Sequence, residues 1–112
     1  MAIAVMMFAA VGHAGKAEAT SYFNAAELLE ECESATAADV YGCTRYIAGM
    51  ADMTTVYVAW GEINEKFRIP ERVTLGQLRK VVIKGLNEVP EELHLHASSL
   101  VFNIFAKAFP CD

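Results

Sequence analysis

Residues Ala38 to Ala59, ADVYGCTRYIAGMADMTTVYVA, decide the fold class. Val40, Cys43, Ile47, Met50, Thr54 and Tyr57 recur there at steps of three and four, the spacing of one buried stripe on an α-helix. Val56-Tyr57-Val58 is β-prone, but it sits inside this longer helical period and so does not make a strand. Gly42 and Gly49 are seven residues apart and fall on the same side of the helix. Each costs up to about 1 kcal/mol relative to alanine in a helix interior, which points to a smooth groove where another helix approaches closely. Gly61 is placed to end the helix in a left-handed conformation.

Working outward, three more segments carry the same period. Upstream, Asn24 with Glu27 three residues on has capping-box spacing. Ala25, Leu28, Leu29 and Cys32 share one face of the helix that follows, to about Glu33. Downstream, Thr74-Leu75-Gly76-Gln77 is a T-x-x-Q capping box, with Val73 and Leu78 at the staple positions. That helix continues through Val81, Val82 and Leu86, and Pro90 ends it by residue 89. A last helix covers about His96 to Phe109, stopped by Pro110. The expected fold is all-α, a compact bundle of about four helices, with no internal repeat or linker after residue 20.

The first 19 residues read differently. Ala2 to Val11 is an unbroken apolar run, followed by small residues and Ala17-Glu18-Ala19, the pattern of a cleavable secretory signal. Cleavage is expected after Ala19, with Ala14 as the second choice; an uncleaved anchor or a buried helix are the alternatives. The run is too short to span a membrane, which takes about 20 apolar residues. Residues 20–112 then form one domain. Removal of residues 1–19 takes Lys16 and Glu18 together, so the net charge stays at −5. An acidic chain without a basic patch is a poor nucleic-acid binder and a poor match to an anionic membrane surface.

An exported chain of this size has little core to spare, and its cysteines read as disulfide framework before metal ligands. Cys32 and Cys43 lie on the apolar faces of adjacent helices and are expected to pair. Cys111 is left over, either as a free buried thiol or in an intermolecular bond.

Candidate chemistry is sparse. His94 and His96 form an H-x-H pair without further ligands at sensible spacing, so loop histidines capping the last helix are the plainer reading. Glu30-Glu31 and Glu91-Glu92 look like solvated faces. Asp52 either bonds within the domain or serves an interface. No catalytic triad, phosphate loop, metal set or cofactor motif is present, and a non-enzymatic binding protein is expected. Most aromatics (Tyr22, Phe23, Tyr41, Tyr46, Tyr57) are assigned to the core. Trp60 and Phe67 lie in or beside a connection, Trp60 to Val73, whose mixture of charge and apolar side chains suits protein recognition. Candidate contact residues are Trp60, Glu65 and Phe67 there, and Glu88, Glu91, Glu92, His94 and His96 in the next connection.

Three stretches together resemble the small periplasmic Rap/Tai group, named for type VI secretion immunity proteins. Cys43-Thr44-Arg45-Tyr46-Ile47-Ala48-Gly49 is similar to the group's C-x-x-Y-I-x-G helix, and Pro70 to Leu78 is similar to P-x-G-V-T-x-G-Q-L. His94 to Val101 with Ala108-Phe109-Pro110-Cys111 resembles the closing H-L-P-A-x-x-L-V … A-F-P-C. The resemblance covers about residues 28 to 111. It implies a Gram-negative periplasmic homodimer that blocks a peptidoglycan amidase by inserting a surface element into its cleft. This chain departs at Arg68, where the group has the cysteine expected to pair with Cys111, and at His96, where the group has proline. A periplasmic holdase of the acid-stress kind, or an envelope assembly factor of the same small helical class, is the alternative function.

Overall fold

The computed structural model describes residues 21–111; the expected signal segment and its cleavage sites lie outside them. Among these residues there are four α-helices and no strand: α1 Ala25–Glu33, α2 Ala37–Ala59, α3 Leu75–Asn87 and α4 Ala97–Ala108, with a 3-10 turn at Pro90–Glu92 before α4.

Local chemistry sets most of the boundaries. The Asn24 side chain accepts from the Glu27 N–H (2.8 Å) and the Glu27 carboxylate accepts from the Asn24 N–H (2.9 Å). Thr74 and Gln77 repeat that reciprocal pattern at the start of α3. Such caps satisfy N–H groups that the first helical turn leaves without partners. Thr36 caps α2 through the Asp39 N–H, which starts the helix one residue earlier than its apolar period does. At the other end Gly61 adopts φ 76°; its N–H donates to Val58 and that of Glu62 to Tyr57, a Schellman closure.

The core runs from α1 to α4. Ile47, Val82, Leu86, Val101 and Phe105 are fully buried, with Leu28, Leu29, Leu78 and Leu100 around them. The Cys32–Cys43 disulfide joins α1 to α2 with its Cα atoms 5.0 Å apart, inside the reach such a bond requires.

Several expectations need correction. The α2 stripe is buried at Cys43, Ile47 and Thr54 but not at Tyr57, which is 42 % exposed. The reason is length: α2 has 23 residues, its neighbours 9, 13 and 12, so its last turns extend past their cover. Thr54 is satisfied by donating to the Met50 carbonyl one turn back. Tyr22, Phe23 and Tyr41 are exposed, not core. A side chain at Gly49 would meet nothing within 4 Å, while the nearest atoms to one at Gly42 are those of the Glu31 carboxylate on α1, 3.0–3.2 Å away. The close helix approach falls instead at Gly85, where an added Cβ would lie 2.6 Å from Ile104.

Candidate partner-binding surface

The two connections with candidate contact residues sit at opposite ends of α3, about 20 Å apart along a 13-residue helix. The structure therefore does not bring their residues into one site.

The first connection follows α2. Trp60 is 68 % exposed, with its ring tilted on that of Tyr57 at 6.3 Å. Ile63 and Glu65 are also exposed. Phe67 is different. Only 7 % exposed, it packs edge-on against Phe102 and Phe105 at centroid distances of 5.5 and 5.3 Å. It anchors the connection and leaves the candidate contact surface. Beside it the Arg68 N–H donates to the Phe109 carbonyl (2.9 Å), part of an antiparallel bridge between Phe67 and Pro110. Backbone pairing thus ties this connection to the C-terminus where the family resemblance implies a disulfide. Cys111 is free and exposed, which removes the buried-thiol alternative.

Arg68 holds Glu65 by two hydrogen bonds, of 2.7 and 3.2 Å. Those bonds are the main reason the Glu65 carboxyl sits below its ordinary pKa. An exposed pair of this kind contributes little to stability because water screens it, so its effect is to set the loop's shape. Asp52 lines a shallow cleft with Glu65 and Arg68. Its carboxylate is exposed and bonds to nothing among the described residues.

The second connection is stiffer. The Ala25 and Ala26 N–H groups donate to the carbonyls of Leu95 and Leu93 (2.9 Å each), and the Ala97 N–H donates to Phe23 (3.0 Å). Residues 93–97 thereby supply acceptors for the start of α1 and are held in return. The Asn87 amide reaches the Glu33 carboxylate at 3.0 Å. Glu88, Glu91, His94 and His96 are exposed on this framework and Glu92 is half-buried. His96 does occupy the N-cap position of α4, yet its side chain makes no capping bond. The cap is made by backbone, which corrects the histidine-cap reading.

Among the described residues no group of His, Cys, Asp and Glu is arranged to hold a metal, and no helix is long and apolar enough to cross a membrane. What the site offers is a disulfide-stapled helical frame displaying charged and aromatic side chains on two pinned connections. That is the equipment of a protein-binding module. The family comparison makes the class particular: the Rap1a immunity proteins match residues 24–111, and the chain belongs to that family. It is accordingly an immunity-type inhibitor that binds a partner effector, not an enzyme. No curated protein matches it closely enough to count as a relative.

Sequence reasoning missed the half-buried groove between α3 and α4 that Glu88 and Glu92 border. The one signal available was Ile104 at the edge of an otherwise continuous apolar face.

Proposed function

We propose that this is a periplasmic immunity protein, exported by a leader over residues 1–19, that blocks a peptidoglycan amidase delivered by type VI secretion. The observation that carries the reading is the second connection. His94 and His96 stand on a backbone fixed by bonds to the start of α1, Glu91 and Glu92 on the 3-10 turn that leads into it, and Glu88 at the C-cap of α3. A rigid, charged loop loses little conformational freedom on entering a cleft, and its acidic groups favour a cleft with a basic rim. Trp60 and Glu65 form a second, more apolar contact at the far end of α3. Family membership supports the immunity role, and members of the family are typically periplasmic.

The working unit is a homodimer. Met53 and Tyr57 lie one turn apart on the uncovered end of α2 and are 44 and 42 % exposed. Apolar faces of this kind mark interfaces. Light scattering at micromolar concentration should give twice the monomer mass, and a clean monomer across salt conditions rejects the dimer.

The same exposed stretch is what a holdase would need, so the functional test must separate the two. An amidase encoded beside this gene is directed to the periplasm of a susceptible cell, with and without this protein. Protection from lysis, with a stoichiometric complex on gel filtration, is the expected result. No protection, together with loose association with many unfolded proteins, would replace the immunity reading with the chaperone one.

A further inference from the structure

The groove between α3 and α4 has a floor that no other element covers. Gly85 lets the two helices meet at Ile104, and Val81, Leu100 and Ile104 make the apolar middle of an open groove of about 600 Å³. That is within the size range of small-ligand sites, roughly 300–1,000 Å³.

Its charges are sorted. The second connection joins the end of α3 to the start of α4, so those two ends lie together. Glu88 and Glu92 border the groove at that end, beside Leu100. Lys84 and Lys107 border it beyond the Gly85–Ile104 contact. Among the described residues none of the four side chains is engaged in an ion pair. From Leu100 to Lys107 the helix rises about 10 Å, the reach of three extended residues or about two helical turns.

We infer that this groove docks a short segment of a protein partner whose middle is aliphatic and whose ends carry opposite charges, the acid at Lys84 and Lys107 and the base at Glu88 and Glu92. Charge complementarity selects that occupant. A uniformly acidic segment meets Glu88 and Glu92, and a uniformly basic one meets both lysines. Like-charge contacts of this kind reject wrong partners more strongly than correct ones add affinity. The groove is also continuous with the second connection, since Glu88 and Glu92 belong to both. The inference rests on the proposed immunity function in one respect only: the partner there is the effector, and the groove extends its footprint from the loop onto α3 and α4.

The test uses the full chain, exported so that its disulfide forms, and three synthetic peptides with the same aliphatic centre. One has an acidic and a basic end, one two acidic ends, one two basic ends. Binding is read by amide shift changes at Val81, Asn103 and Ile104. Rim charges of this kind are worth about three- to ten-fold in affinity, so the bipolar peptide should lead by that factor. In a Lys84→Glu, Lys107→Glu variant the preference should pass to the peptide with two basic ends. Equal binding of all three peptides, shifts located elsewhere, or an unchanged order in the variant overturns the inference. The outcomes separate from those of the immunity reading. Peptide selectivity without protection from an amidase sinks the function and leaves the groove. Protection that survives the double variant and shows no peptide selectivity does the reverse.

Discussion

Replacing Gly85 with alanine puts one methyl group 2.6, 2.7 and 2.9 Å from the Cγ1, Cδ1 and Cγ2 atoms of Ile104. Two terms of opposite sign compete. Alanine is the better helix former, by up to about 1 kcal/mol, and less than that near a helix end such as this one. Against it stands overpacking, which costs about 1–3 kcal/mol where the neighbours cannot retreat. Ile104 retreats poorly, because a β-branched side chain in a helix has one strongly preferred rotamer and all three of its outer carbons are involved. The expected net effect is a destabilisation of about 1–2 kcal/mol.

Two other helical glycines supply internal controls. Gly49 has open space, so Gly49→Ala should stabilise by about 0.5–1 kcal/mol from propensity alone. At Gly42 the neighbour is the Glu31 carboxylate, the far end of a flexible side chain that can swing aside; that variant should fall between the two. Urea unfolding followed by circular dichroism measures all three, with the midpoint shifting at constant slope. Ile104→Ala removes all three of these atoms, so the Gly85→Ala, Ile104→Ala double variant should show a favourable coupling of about 1 kcal/mol or more. If Gly85→Ala is as stable as the parent, or the coupling vanishes, the close approach of α3 and α4 at this point is wrong.

Other predictions concern the staple, a cap and acid. Replacing Cys32 and Cys43 with alanine should cost about 2–3 kcal/mol, from the loop-entropy term for a separation of 11 residues; a melting curve unchanged on reduction would contradict it. Thr74→Ala removes the cap of α3 and should cost about 1 kcal/mol by the same urea assay, with Thr74→Ser recovering most of it. Hydrogen bonds from Ser34 and then Thr36 hold the Asp39 carboxyl below its ordinary value of 3.8. Its folded pKa is depressed, so the stabilisation is present above that ordinary value and fades as pH falls through the lower folded one. Asp39→Asn should flatten the low-pH limb of the stability profile, and an identical limb would show that these bonds do not matter.

The features legible in the sequence are those whose cause is local. Asn24 with Glu27, Thr74 with Gln77, and Gly61 each act within a few residues, so their patterns announce the helix ends they make. Cys32 and Cys43 were readable because each lies on the apolar face of its own helix. The features that were not legible depend on partners far along the chain. Tyr57 follows the α2 period faithfully and is still exposed, because its burial depends on the lengths of α1, α3 and α4. Phe67 sits in a charged connection and is still buried, because Phe102, Phe105 and the strand-like pairing to Pro110 take it in.

The candidate surface was half legible for the same reason. Sequence marks Glu88, Glu91, Glu92, His94 and His96 as polar groups between two helices, which describes a flexible loop as well as a rigid one. Their usefulness for recognition turns on which it is. Fixing a residue's backbone costs about 1–2 kcal/mol of conformational entropy, and a loop ordered only on binding would spend that on its partner. Here the carbonyls of Leu93 and Leu95 meet the Ala26 and Ala25 N–H groups, and the Ala97 N–H meets Phe23. Folding needs those bonds anyway, because the first N–H groups of α1 must find acceptors. The ordering of this connection is therefore a by-product of capping α1, made by backbone atoms that leave no trace in residue identity. The connection's rigidity belongs to the fold, and its side chains are left free to be chosen for a partner.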